Sequence, residues 1–227
     1  MTVEIEYFGH STFELRTGEH RILIDPFLGD NPLTEMTADE LNPTAIVLTH
    51  GHFDHVADAV SLAKRTGALV IANFEIVTWL GKQGVKNVHG QHQGGGFQHP
   101  FGHLKLTVAH HGSMLPDGSN GGNPCGLLFT FPEATIYIAG DTALFSDMQL
   151  IGEAGIDLAI LPIGDNFTMG PEDALRAVKF LKPKRVIPCH FNTWPPIAQD
   201  ADAWVKRVEA ETDAKGTVMQ SGDIFKL

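Results

Sequence analysis

Thr49-His50-Gly51-His52-Phe53-Asp54-His55, THGHFDH in one-letter form, gathers three imidazoles and a carboxylate within six positions. It follows the apolar run AIVLT and precedes VADAVSLAKRTG, where Val56, Val60 and Ala63 recur at helical spacing and a glycine closes the segment. In an extended stretch residues i and i+2 point the same way, so His50 and His52 can offer imidazoles to one ion. A turn at Phe53 then redirects Asp54 and His55 towards a neighbouring site. The competing reading makes Asp54 a cap for a helix beginning near Val56, with the histidines incidental.

The flanking segments weigh on that choice. Short apolar or alternating runs bounded by turn residues predict a β-rich first half: VEIEYFGH, STFELRT, HRILIDPF and TAIVLTH, then ALVIANF after the helix. Past a glycine-rich loop, QGGGFQHPFGH, come LKLTVAHH, GLLFTF and ATIYIAGD, the last two joined as a hairpin at PEA. The remainder alternates: a helix near 143–154, the strand DLAILPIG, a helix from Pro171 to Leu181, the strand RVIPCH, a helix near 200–211, and two short strands in GTVMQSGDIFKL. Pro171 followed by Glu172 and Asp173 is a helix-start signal. His50, His111, Asp141 and His190 each stand where an apolar strand opens into a loop, the usual mounting place for chemistry. Apolar packing does not require this pattern, and metal binding does.

Composition bounds the alternatives. The chain has 227 residues, 43% hydrophobic and 19% charged, with no linker, repeat or low-complexity tract, so a single α/β domain over 1–227 is expected. A formal charge of −11 opposes counterion-release binding to nucleic acid, which is not expected as a partner. Neither a signal peptide nor an apolar run long enough for a membrane span is visible, and two cysteines, Cys125 and Cys189, fit a reducing compartment. The expectation is a cytoplasmic protein acting on a small molecule, with self-association as a homo-oligomer left open. Twelve histidines are the compositional oddity.

THGHFDH carries the His-x-His-x-Asp-His signature of the metallo-β-lactamase superfamily. With GHSTFEL, ILIDPF, AHHGS, GDTALF, PIGDNFTMGPEDA and VIPCHFNT, the whole chain resembles the branch of small metal-dependent hydrolases related to L-ascorbate-6-phosphate lactonase. The resemblance implies a four-layer αββα sandwich whose sheets meet at a dinuclear site. It puts His50, His52 and His111 on one metal, Asp54, His55 and His190 on the other, and Asp141 between them. His111 rather than His110 follows from aligning AHHGS, in which Gly112 departs from the usual serine. Two divalent ions are implied, zinc first, with Mn, Fe, Co or Ni compatible with imidazole and carboxylate donors.

Two such ions, roughly 3.5–4 Å apart, lower the pKa of a shared water towards neutrality and make hydroxide the expected nucleophile. Asp54 can accept a proton from it, and His10 in GHST is a candidate proton donor beside the metals. Asp25, ending the apolar strand ILID, is expected to orient a metal-bound imidazole or the 50–55 loop. Phe167, Thr168 and Met169 are expected to line the substrate pocket, with core packing as the alternative. His89, His92, His99 and His103 lack a nearby carboxylate and are expected at the surface. The activity expected is hydrolysis of a small anionic ester, lactone or phosphodiester. The alternative is a non-catalytic metal-binding or regulatory protein that retains the fold.

Overall fold

In β1 (Glu4–Tyr7) Ile5 and Tyr7 are buried while Glu4 and Glu6 reach towards solvent, the alternation of a strand with one face on a core. A computed structural model, which describes residues 2–227, builds the first sheet from this strand. The next strands are β2 (Phe13–Thr17), β3 (His20–Ile24), β4 (Ala45–Val47), β5 (Leu69–Asn73) and β6 (Val88–Gln91). The second half supplies β7 (Gly96–His99), β8 (Gly102–Val108), β9 (Cys125–Thr130), β10 (Thr135–Ile138), β11 (Leu158–Pro162), β12 (Arg185–Cys189) and β13 (Lys215–Gly216). A last strand, β14 (Ile224–Lys226), returns to pair antiparallel with β1.

The sheets run in the orders β14-β1-β2-β3-β4-β5-β6 and β13-β12-β11-β10-β9-β8-β7. Each is mixed. Neighbours are antiparallel from β1 to β3 and from β7 to β10, and parallel from β3 to β6 and from β10 to β13. Parallel neighbours need crossovers, and α-helices supply all of them but β3 to β4, which is bridged by a loop with one 3-10 turn at Ala38–Glu40. The α-helices are α1 (Phe53–Val56), α2 (Ala59–Thr66) and α3 (Phe74–Lys82) in the first half, and α4 (Met148–Gly152), α5 (Pro171–Leu181) and α6 (Ala201–Glu211) in the second.

Three cores separate four layers. Ile5, Leu15, Ile22 and Val47 meet Leu104, Leu127, Ile136 and Ile160 between the sheets. On the outside of the first sheet, Leu62, Ile76 and Leu80 of the helices cover Leu23, Ile46 and Val70. On the outside of the second, Leu175, Val178 and Trp204 cover Tyr137, Ala159 and Val186. Complete burial of each such side chain contributes about 1.5–3 kcal/mol. The result is the αββα sandwich.

Several elements differ from the sequence expectation. The helix expected after His55 is split, because the backbone N–H of Asp58 leaves the helical ladder to donate to Pro26 O at 3.1 Å, while its carboxylate accepts the backbone N–H of Leu28 at 2.7 Å and of Gly29 at 3.3 Å. Its stop is as expected: Gly67 closes α2 at φ 70°. Helix α3 was hidden behind the strand ALVIANF; Asn73 ends β5 and caps α3 by accepting from Ile76 N at 2.9 Å. The helix expected over 143–154 shrinks to α4, and the glycine-rich loop contains all of β7 and the start of β8. Both cysteines are free and buried. No described helix is long and apolar enough to cross a membrane.

Candidate metal centre

The polar residues singled out in the sequence converge at one edge of the sandwich, beyond the C-terminal ends of β4, β8, β10 and β12. The loops there are tied across the sheets: Cys125 N donates to Thr49 O at 2.9 Å, and His190 N donates to His10 O at 2.8 Å. Gly140, two residues beyond β10, has φ 61°, and a Cβ there would lie 3.0 Å from the Thr49 side chain. Glycine alone allows that approach, which brings Asp141 against the 49–55 loop.

His50 Nε2 and His52 Nδ1 converge at 3.0 Å, and His111 joins them with all three donor atoms within 4.8 Å of one another. A second group of His10, Asp54, His55 and His190 meets the same limit. Asp141 lies between the groups. Its Oδ2 is 3.1 Å from His190 Nε2 and 3.4 Å from His111 Nε2, and its Oδ1 is 3.4 Å from His55 Nε2. His110 instead turns its exposed ring to Phe145, with centroids 5.1 Å apart. Asp54 does not cap a helix; His52 occupies that position and Asp54 lies in the first turn of α1.

Asp25 sets the state of two imidazoles. Its Oδ1 accepts Thr49 N at 2.8 Å, and its Oδ2 accepts the Thr49 hydroxyl at 2.6 Å and His55 Nδ1 at 2.7 Å. The Thr49 hydroxyl, having donated to Asp25, can only accept from His50 Nδ1, 3.0 Å away. Both His50 and His55 therefore keep a proton on Nδ1, which leaves Nε2, the nitrogen turned inward, as the one that would bind a metal. Asp25, His50 and His55 also have donor atoms within 4.8 Å of one another, but the Asp25 oxygens are taken up by Thr49 and His55. His10 places Nε2 3.0 Å from Asp54 Oδ2 and Nδ1 2.7 Å from the Thr193 hydroxyl. Neutral His10 thus donates from Nε2 to Asp54 and accepts from Thr193.

The electrostatics call for a cation. Burial works against a charge on His55, but Asp141, Asp25 and Asp54 outweigh it and hold its pKa well above the ordinary value. Burial likewise opposes ionisation of Asp141, yet His190 and His55 keep its carboxyl well below the usual range. Burial pushes His50 well down and takes His10 to about 4. Meanwhile His55 Nε2 and Asp141 Oδ1 are buried without a hydrogen-bond partner. Such orphaned atoms are costly unless something coordinates them. Imidazole and carboxylate donors around such a point fit divalent metal.

Backbone strain gathers in the same place. Seven described non-glycine residues have positive φ. His10, Asp25, His190 and Asn192 belong to the site or adjoin it, and Asp165 and Asn166 form the loop beside it. The seventh, Lys182, ends α5. Such conformations cost about 1–3 kcal/mol each and persist where the surroundings impose them.

A cavity of about 620 Å³ opens over the donors, lined by His52, Asp54, His111, Asp141 and His190 together with Phe53, Met114, Leu115, Pro116, Phe167, Trp194 and Pro196. Of the three expected pocket residues only Phe167 reaches it. Met169 N donates to Thr142 O at 3.0 Å, which draws Met169 into the core beneath α5, and Thr168 turns its hydroxyl to Met169 O. His99 is a further correction: it is buried in the sheet edge, not at the surface.

An αββα sandwich with these donors on the loops at one edge defines a hydrolase of the metallo-β-lactamase fold. Residues 20–191 match the family described as Beta-lactamase superfamily domain. A UPF0173 metal-dependent hydrolase of Shouchella clausii is 49% identical over 99% of this chain and 100% of its own, and one of Thermus thermophilus 48% identical over 99% of both. Igni18, a metallo hydrolase from the archaeon Ignicoccus hospitalis, shares 37% identity and a TM-score of 0.92, over 100% of this chain and 99% of its own. The chain belongs to the UPF0173 metal-dependent hydrolases of the β-lactamase superfamily. It is thus a metal-dependent hydrolase, and the non-catalytic alternative falls.

Proposed function

We propose that the chain hydrolyses an ester or lactone bond in a small molecule, with two divalent ions held by the two donor groups. His50, His52 and His111 would hold one, Asp54, His55 and His190 the other, and Asp141 would reach both. The observation that carries this reading is the buried, unpartnered pair of His55 Nε2 and Asp141 Oδ1, 3.4 Å apart between the two groups. Ions bound there supply Lewis acidity towards a carbonyl oxygen and lower the pKa of water.

The chain's own residues do the rest. Asp54 lines the cavity and its Oδ2 accepts from His10 Nε2, whose Nδ1 accepts from Thr193, so that imidazole holds Asp54 in place as the group that would take a proton from the attacking water. Asp25 fixes which nitrogens His50 and His55 present. A phosphodiester is the weaker candidate: no lysine or arginine lines the cavity among the described residues to hold the anionic oxygens that take no part in the reaction. For the same reason a neutral substrate is favoured over the anionic one expected from sequence.

Reconstituted protein should hold two ions per chain by elemental analysis and should cleave esters or lactones in a screen that also offers phosphomonoesters and phosphodiesters. A plateau at one ion, or cleavage of phosphodiesters alone, would overturn the reading.

A further inference from the structure

We infer that the substrate carries an uncharged apolar group, seated against Phe53, Met114, Phe167 and Trp194, and that these four side chains set specificity. The inference rests on the hydrolytic reading above and names what that site accepts.

Every polar side chain lining the cavity belongs to the two donor groups or is Asp141. Beyond the reacting bond, a substrate therefore meets only aromatic, aliphatic and proline side chains. A charged or strongly polar substituent would lose its hydration there with no side chain to replace it. An apolar one gains about fourfold in affinity for each methylene removed from water.

These walls are also costly to leave bare. Phe53, Met114 and Phe167 are 54%, 62% and 54% exposed, three of the eight large apolar side chains so placed among the described residues, and all three line this one cavity. Large apolar residues grouped around a concavity mark a binding surface, whereas scattered ones need no explanation. Phe53 and Trp194 are held as a wall: their ring centroids are 6.1 Å apart, and Phe27 packs 5.9 Å from Phe53 and 6.1 Å from Trp194.

Sequence position ties wall to chemistry. Phe53 lies between His52 and Asp54, Met114 three residues after His111, and Trp194 four after His190, so the loops that deliver donors also deliver walls. Phe167 comes from a loop without a donor, but that loop is the strained one: Asp165 and Asn166 have φ 62° and 47°, and Asp165 Oδ1 accepts Asn166 N at 2.9 Å. Two consecutive left-handed residues turn the chain so that Phe167 faces the cavity while Met169 goes to the core.

The test uses metal-loaded protein and aryl esters of straight-chain acids from acetate to octanoate, beside the same chains ended in a carboxylate. We expect kcat/KM to climb roughly fourfold per methylene and to fall at least tenfold when the terminal methyl becomes a carboxylate. Phe167→Ala should lose more on octanoate than on acetate, flattening the series. A flat series, or equal turnover of carboxylate-ended chains, would overturn the inference while leaving the hydrolytic reading intact. If no ester or lactone is cleaved, the hydrolytic reading falls and binding judges the pocket. Calorimetry with uncleavable methyl ketones should show affinity rising with chain length, more steeply than for ketones ended in carboxylate. Affinity that ignores length would overturn the apolar pocket.

Discussion

Two regions of this chain are rich in histidine, and they use it in opposite ways. At the sheet edge His89, His99 and His103 lie on β6, β7 and β8, and the rings of His99 and His89 are 4.9 Å apart. His99 is 3% exposed, stacks on Phe101 at 5.0 Å and donates from Nε2 to Gln91 Oε1 at 2.9 Å. Burial, with His89 and His103 beside it, takes its pKa down to about 4. At the other region Asp25, Asp54 and Asp141 are interleaved with the imidazoles, and His55 is driven upward despite complete burial. The number of histidines is not the difference. Interleaved carboxylates make one cluster a seat for cations, and their absence leaves His99 in the other as a neutral, buried side chain.

The largest effect should come from Asp141, the carboxylate placed to reach both donor groups. If two ions bind as proposed, Asp141→Ala should weaken binding of both more than about 100-fold and abolish hydrolysis, as equilibrium dialysis with elemental analysis would show. Two ions retained at wild-type affinity would break the contrast at its centre. His190→Ala should remove mainly one ion, leaving a stoichiometry near one per chain.

Asp25→Asn tests whether a carboxylate that holds Thr49 and His55 matters to metal binding. An amide cannot accept from Thr49 N, the Thr49 hydroxyl and His55 at once, so affinity should drop about 10–100-fold at both positions. Loss confined to the ion held by His55 would show that the route through Thr49 to His50 is idle.

The smallest effect belongs to the sheet edge. His99 titrates lower folded than unfolded, so between pH 6.5 and about 4 the unfolded chain binds a proton that the folded chain refuses. Stability should therefore fall as pH drops through that window, with His99 responsible for about 1 kcal/mol. His99→Gln should flatten that slope in thermal melts run from pH 7 to pH 4.5 and leave metal content unchanged. A variant with the wild-type slope would refute the burial argument.

What could be read from the sequence follows from distance along the chain. His50, His52, Asp54 and His55 are neighbours, so spacing alone exposed them. His111, Asp141 and His190 were visible as polar residues at strand ends, but only resemblance grouped them, because joining them depends on two sheets meeting. Thr49 was hidden although it adjoins the motif: its role depends on donating to Asp25, 24 positions away, while accepting from His50. Phe53, Met114 and Trp194 escaped notice because an exposed apolar residue looks like a core residue until the surface is seen. Helix α3 escaped because its first residue continues an apolar strand pattern, and short apolar runs do not separate the two states.

The return of β14 to β1 has a consequence for the order of synthesis. More than two hundred residues separate the two strands, so at about 5–20 residues per second β1 keeps an open edge for roughly 10–40 s after it is made. An unpaired edge recruits strands from other chains, and charge is the usual guard. Glu4 and Glu6, on the outward face of β1, place two carboxylates along it for that interval. Once β14 arrives, Lys226 pairs with Glu4 at 2.8 Å, so one of those guards then helps to fasten the strand that closes the edge.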